Sequence, residues 1–105
     1  MGGSSSKEEF GPADADYSIT IQYCGGWGYR SRAVDVRNCL TKEFGDKMRV
    51  IFNPDETITG NLEVVIINNK TGASKNIHSK SNGDGFVSKS NSSKLVEKAR
   101  NFMKV

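Results

Sequence analysis

The feature that most constrains this chain is a change of hydrophobic period across a glycine-rich break. Tyr17, Ile19, Ile21 and Tyr23 alternate with Ser18, Thr20 and Gln22, the period-two pattern of a strand with one buried face. Cys24-Gly25-Gly26-Trp27-Gly28 then breaks every regular pattern, and Gly25 and Gly26 permit a sharp turn. From about Tyr29 to Phe44, Ala33, Val36, Leu40 and Phe44 recur at helical spacing, and Gly45 stands where a helix stops. Met48 to Phe52 reads as a second strand, closed by Asn53-Pro54. A strand, a helix and a strand in this succession predict a right-handed βαβ unit with parallel strands.

The remainder extends the same sheet. Leu62 to Ile67 reads as a third strand. Val64-Val65-Ile66-Ile67 is apolar on both faces, which predicts a central strand covered on both sides. Across the Asn68–Gly72 turn, Lys75 to Ser79 forms a short fourth strand. After the Asn82-Gly83-Asp84-Gly85 loop, a last helix runs from about Ser92 to Met103, burying Leu95, Val96, Ala99, Phe102 and Met103. The order strand-helix-strand-strand-strand-helix predicts an α/β two-layer sandwich on a four-stranded mixed sheet, the minimal thioredoxin-like arrangement. The 105 residues amount to one domain, expected over 17–105. Residues 1–16 are mostly Gly, Ser and acids and are expected to be a disordered tail.

Composition narrows the chemistry. Two cysteines, Cys24 and Cys39, are too few for a secreted disulfide framework and predict a reducing compartment. The N-terminus lacks the apolar stretch of a secretory signal, and no run approaches a membrane span of about 20 residues, so a cytoplasmic location is expected. Two cysteines and the lone His78, far apart in sequence, lack metal-ligand spacing, and no metal is expected. Residues 1–16 carry one lysine against four acids, whereas 17–105 carry fourteen Lys or Arg against eight Asp or Glu. The folded part is therefore basic, but without the interleaved aromatics of a nucleic-acid binder, and no nucleic-acid partner is expected.

Cys24 is the candidate chemical centre. It sits where a strand ends and a helix is about to begin, where free backbone N–H groups and the positive end of the helix dipole favour a thiolate. Arg30 and Arg32, in the first helical turn, add positive charge nearby. An ordinary buried cysteine at a strand end fits the spacing equally. Cys39 lies about ten residues into the helix, about 15 Å along its axis, beyond the Cα separation of about 7 Å that a disulfide tolerates. It reads as a small apolar filler beside Val36 and Leu40.

The run Tyr23-Cys24-Gly25-Gly26-Trp27-Gly28-Tyr29-Arg30-Ser31-Arg32 resembles the redox loop of the selenoprotein W family. There a Cys and two further residues precede a selenocysteine or Cys, then Gly-Tyr and basic residues. Leu40 with Glu43-Phe44, Thr59-Gly60 followed by Glu63-Val64, Ile77-His78-Ser79-Lys80, and Gly83-Asp84-Gly85-Phe86-Val87 match the same family in order. The resemblance covers nearly all of 17–105. It implies a thioredoxin-like fold and a glutathione-linked thiol or selenol redox role, that of an antioxidant or thiol-dependent oxidoreductase, with positions 24 and 27 as the redox pair. It also implies that Gly25, Gly26, Arg30, Thr59 and Gly60 meet the substrate. No tightly bound cofactor is implied; glutathione is the expected redox partner, and protein thiols are further candidate partners.

Trp27 departs from the family pattern, because indole forms neither a disulfide nor a selenenylsulfide. Two explanations stand. The chain is a single-thiol variant, able to form a mixed disulfide or a sulfenic acid. Or position 27 is natively selenocysteine, whose UGA codon differs in one base from the UGG of Trp. As written, the Trp27 form is expected to lack dithiol activity. The rival function is a non-catalytic thioredoxin-like binding module, with Trp27 and Tyr29 as its contact surface.

Thr59-Gly60 is expected to lead into the central strand beside the Cys24 loop, and His78 reads as structural. The start Met1-Gly2-Gly3-Ser4-Ser5-Ser6 fits a myristoylation pattern, and only lipidation of Gly2 would bring the chain to a membrane.

Overall fold

The computed structural model describes residues 7–103, so Gly2 and the first six residues of the expected tail lie outside the described residues. The elements are β1 (Glu8–Phe10), β2 (Tyr17–Tyr23), α1 (Tyr29–Phe44), β3 (Met48–Pro54), β4 (Leu62–Asn68), β5 (Ser74–Ser79) and α2 (Ser92–Met103). Short helical turns at Gly45–Lys47 and Lys80–Asp84 complete the connections. The five strands form one mixed sheet in the order β1-β3-β2-β4-β5. β2 runs parallel to β3, with Ile19 opposite Val50 and Ile21 opposite Phe52. It runs antiparallel to β4, with Ile19 opposite Ile66 and Ile21 opposite Val64. β4 and β5 form the expected antiparallel hairpin, with a register irregularity at Val64/Val65.

These pairings put Ile19, Ile21, Val50, Phe52, Val64 and Ile66 on one face of the sheet, all fully buried. Ala33, Val36 and Leu40 of α1 and Leu95 and Ala99 of α2 complete that core. Each Val, Leu or Ile so buried contributes about 1.5–3 kcal/mol, and this single core is what fixes the end of β2 and the start of α1. Among the described residues, no helix is long and apolar enough to cross a membrane.

Two expectations need correction. The sheet has five strands, not four, and the fifth comes from the segment expected to be a disordered tail. β1 pairs antiparallel with the outer edge of β3. Phe10 packs edge-on against Phe52, ring centroids 4.9 Å apart, and the Arg37 guanidinium lies 4.5 Å from its centroid. Asn69 Nδ2 then ties down the Ala15 carbonyl at 2.9 Å. The segment cannot order itself, but it does not have to: β3 supplies a ready-made edge of backbone donors and acceptors. The second correction concerns β4. Val64 and Ile66 are buried beneath the helices, whereas Val65 and Ile67 are only half-buried on the other face. Both helices lie on one side, so the apolar run reflects the preference of β-branched residues for strands, not cover on both sides.

Candidate functional site: the Cys24 cradle

Cys24 follows β2 directly. Its N–H donates to the Asn61 carbonyl at 3.0 Å, and the next amide, Gly25, donates to the Thr57 carbonyl at 3.0 Å. The Cys24 loop and the 57–61 loop are thus laced together by their backbones. Gly25 is required here by contact: a Cβ would stand 2.3 Å from the Asp55 carbonyl oxygen and 2.8 Å from that of Thr57. Trp27 and Gly28 are both left-handed, with φ of 58° and 70°, and α1 begins at Tyr29. An aromatic residue in that backbone region is strained relative to glycine or asparagine.

The sulfur is buried, Cys24 being 2 % exposed, yet it is well solvated by protein. The N–H groups of Gly26 and Thr59 both donate to Sγ at 3.4 Å. Burial pushes the Cys24 thiol up, but the amides of Gly60, Gly26 and Thr59 outweigh it and hold the thiol below the ordinary value of 9.0, while the Thr59 hydroxyl proton is given to Asp55. A thiolate held by amide donors is the nucleophilic form of cysteine. Cys39 is the reverse: half-buried on α1, with its thiol pushed above 9.0 by burial and by the Glu43 carboxylate, against a smaller opposing effect of Lys42.

The donors differ in part from those the sequence suggested. Thr59 and Gly60 do reach Cys24, but the first-turn arginines do not. Arg30 is held by Glu8 of β1 through two hydrogen bonds of 2.8 and 2.7 Å. Arg32 lies over the Phe86 ring at 4.2 Å and has no carboxylate partner among the described residues. Trp27 stands beside the cradle, 70 % exposed, its ring 6.2 Å from that of Tyr29 and its edge facing Gly60. Ile58, 58 % exposed, packs against Gly26. His78 is buried, and its Nε2–H donates to the Gly85 carbonyl at 2.7 Å, a structural role.

Sequence reasoning misses one group. Asp55, in the loop after β3, accepts hydrogen bonds from Gln22, Thr59 and Asn61. The only trace in the sequence is polar residues at 55, 59 and 61, a pattern too common in loops to single out.

The Rdx family profile matches residues 18–98. Selenoprotein W of Danio rerio is 36 % identical over 69 residues, covering 66 % of this chain and 73 % of that protein. Selenoprotein W of Gallus gallus is 35 % identical over 69 residues, 66 % and 74 % of the two chains. Selenoprotein W of Sus scrofa is 32 % identical over 70 residues, 67 % and 74 %. β1, which holds Arg30 through Glu8, lies outside the residues matched by the family profile.

Proposed function

The chain belongs to the Rdx family and is selenoprotein W-like, and from that premise we propose that it is a glutathione-linked redox protein with a thioredoxin-like domain, acting in the cytoplasm, with Cys24 as its nucleophile. The observation that carries this reading is the Cys24 sulfur with backbone N–H groups of two different loops aimed at it at 3.4 Å. Position 27 is selenocysteine in the native protein on this reading. Trp27 supports the assignment by what it does not do: its ring is mostly in solvent, on a left-handed backbone that gives a large side chain no advantage.

The chemistry balances on protein groups and two named reactants. With a selenol at 27, a peroxide oxidises it to a selenenic acid and leaves as an alcohol or water. The Cys24 thiol displaces water from selenium and closes a sulfur–selenium bond. Two glutathione thiols reopen it and depart as glutathione disulfide, restoring thiol and selenol. In the Trp27 chain only a one-thiol step remains. The Cys24 thiolate attacks glutathione disulfide, forms a mixed disulfide and releases one glutathione thiolate. Arg32, which has no carboxylate partner among the described residues, is better placed than Arg30 to meet the glutathione carboxylates.

Oxidised glutathione should add one glutathione per chain, at Cys24, and Cys24→Ser should abolish it. Trp27→Ala, which clears the ring edge beside Gly60, should take up glutathione at least as fast as the parent, and Trp27→Cys should close a disulfide to Cys24 on mild oxidation. Mass spectrometry reads each outcome. Modification at Cys39 alone, or at neither cysteine in both the parent and the Trp27→Ala chain, contradicts the reading. The alternative, a binding module without turnover, draws on one observation: Trp27 and Ile58, the two exposed large apolar side chains among the described residues, both border the Cys24 loop. The codon at position 27 separates the two: UGA supports the redox reading and UGG the module.

A further inference from the structure

Asp55 takes no part in the chemistry above, yet it is bonded to nearly everything around Cys24. Its Oδ1 accepts from Gln22 Nε2 at 2.8 Å, and its Oδ2 accepts from Thr59 Oγ1 at 2.5 Å and Asn61 Nδ2 at 3.0 Å. Its own N–H donates to the carbonyl of Tyr23, the residue before Cys24, at 2.8 Å. Thr59 is the residue whose amide reaches the Cys24 sulfur, and Asn61 the one whose carbonyl receives the Cys24 amide. One carboxylate therefore grips the residues on either side of Gly60, one touching the sulfur of Cys24 and the other its amide. Its third partner lies two residues before Cys24 on β2.

We propose that Asp55 is a positioning residue for Cys24: its carboxylate braces the 57–61 loop against β2, so that the Thr59 amide stays aimed at the sulfur. The backbone bonds from Cys24 and Gly25 fix Asn61 and Thr57 at the ends of this loop, but Glu56, Thr57, Ile58 and Thr59 are all exposed, so packing adds little to hold Thr59 between them. Hydrogen bonds from a hydroxyl and two amides to an ionised carboxylate are the strong, directional kind that can hold an exposed segment in place. The hydrogen-bond partners of Asp55 are all neutral, and among the described residues no Lys or Arg forms an ion pair with it. The donors that face the Cys24 sulfur, from Gly26, Thr59 and Gly60, are likewise neutral. This inference rests on Cys24 being the reactive thiol but not on which substrate it meets.

The brace has a competitor of opposite sign. A carboxylate acting only as a nearby charge would disfavour the thiolate, so removing it would make Cys24 more acidic. A carboxylate acting as a brace does the reverse when removed. The test follows the thiolate ultraviolet absorbance of Cys24 across pH in a Cys39→Ser background, with circular dichroism to verify the fold. Asp55→Asn keeps the shape but turns a donor towards a donor, and should cut the thiolate fraction at neutral pH about tenfold, the effect of about one lost hydrogen bond to a charged group. Thr59→Val, which keeps the amide and loses the hydroxyl, should act in the same direction, Thr59→Ser should restore the parent titration, and the double variant should be no worse than the stronger single one. A more acidic Cys24 in Asp55→Asn, an unchanged titration, or equal behaviour of Thr59→Val and Thr59→Ser overturns the proposal. Should Asp55→Asn unfold, Asn61→Ala decides, because the Asn61 side chain bonds Asp55 and not the sulfur: a less acidic Cys24 supports the brace and an unchanged titration overturns it. A parent chain with an acidic Cys24 that takes up no glutathione refutes the substrate reading and leaves this one standing.

Discussion

The two cysteines of this chain sit in different settings, one on a loop at the end of a strand and one within a helix. The Cys24 thiol is held below the ordinary value and the Cys39 thiol is pushed above it. Burial opposes ionisation at both. The difference lies in what faces the sulfur. At Cys24 the chain turns out of β2 and meets the 57–61 loop, so amides whose hydrogen bonds are not consumed by the sheet point inward. At Cys39 the surrounding amides are spent within α1, and the Sγ contact is a carbonyl, that of Ser92 at 3.8 Å, next to the Glu43 charge. A helix interior offers a cysteine no donors; a strand end facing an irregular loop offers several.

The comparison breaks most severely if the two loops are forced apart. Gly25→Ala places a methyl group within 2.3 Å of the Asp55 carbonyl oxygen and should cost about 2–3 kcal/mol, the upper part of the usual range for overpacking, with the Cys24 thiol becoming less acidic and Cys39 unmoved. Urea unfolding together with thiol titration checks both halves; an unperturbed stability would mean that the close approach is not a real constraint.

A smaller effect should appear as opposite slopes of stability in alkali. Cys24 has a folded value below its unfolded 9.0, so in the window between them the unfolded chain holds the extra proton and stability rises with pH. Cys39 has a folded value above 9.0, so from 9.0 upward the folded chain holds the extra proton and stability falls. Cys24→Ser should remove the rise and Cys39→Ser the fall, as read by urea midpoints across pH. Matching slopes in the two variants would erase the distinction between the sites.

Much of this is legible in the sequence, and the parts that are not share a cause. β2, α1 and α2 follow from strong hydrophobic periods, and their bounds rest on signals carried by single residues such as Gly45. Cys24 stands out because a period ends there. The helix-start argument anticipates the Gly26 amide, and the place of Thr59-Gly60 before β4 anticipates its nearness to Cys24. What escapes depends on partners distant in sequence. Three residues of β1 carry no period of their own and order only against the β3 edge; with them goes Glu8, the residue that occupies Arg30. Asp55 escapes because its meaning lies in the convergence of Gln22, Thr59 and Asn61, brought together only when β2, β3 and β4 pair. The cover of Val65 and Ile67 is hidden because a strand's composition does not say on which side the helices will lie.

The central claim, that amide donors facing the sulfur make Cys24 the more acidic of the two thiols, is tested most directly by titrating each alone. Thiolate absorbance of the Cys39→Ser chain should report Cys24 with a midpoint below 9.0, and that of the Cys24→Ser chain should report Cys39 with a midpoint above it. Coincident midpoints, or Cys39 ionising before Cys24, would contradict the account.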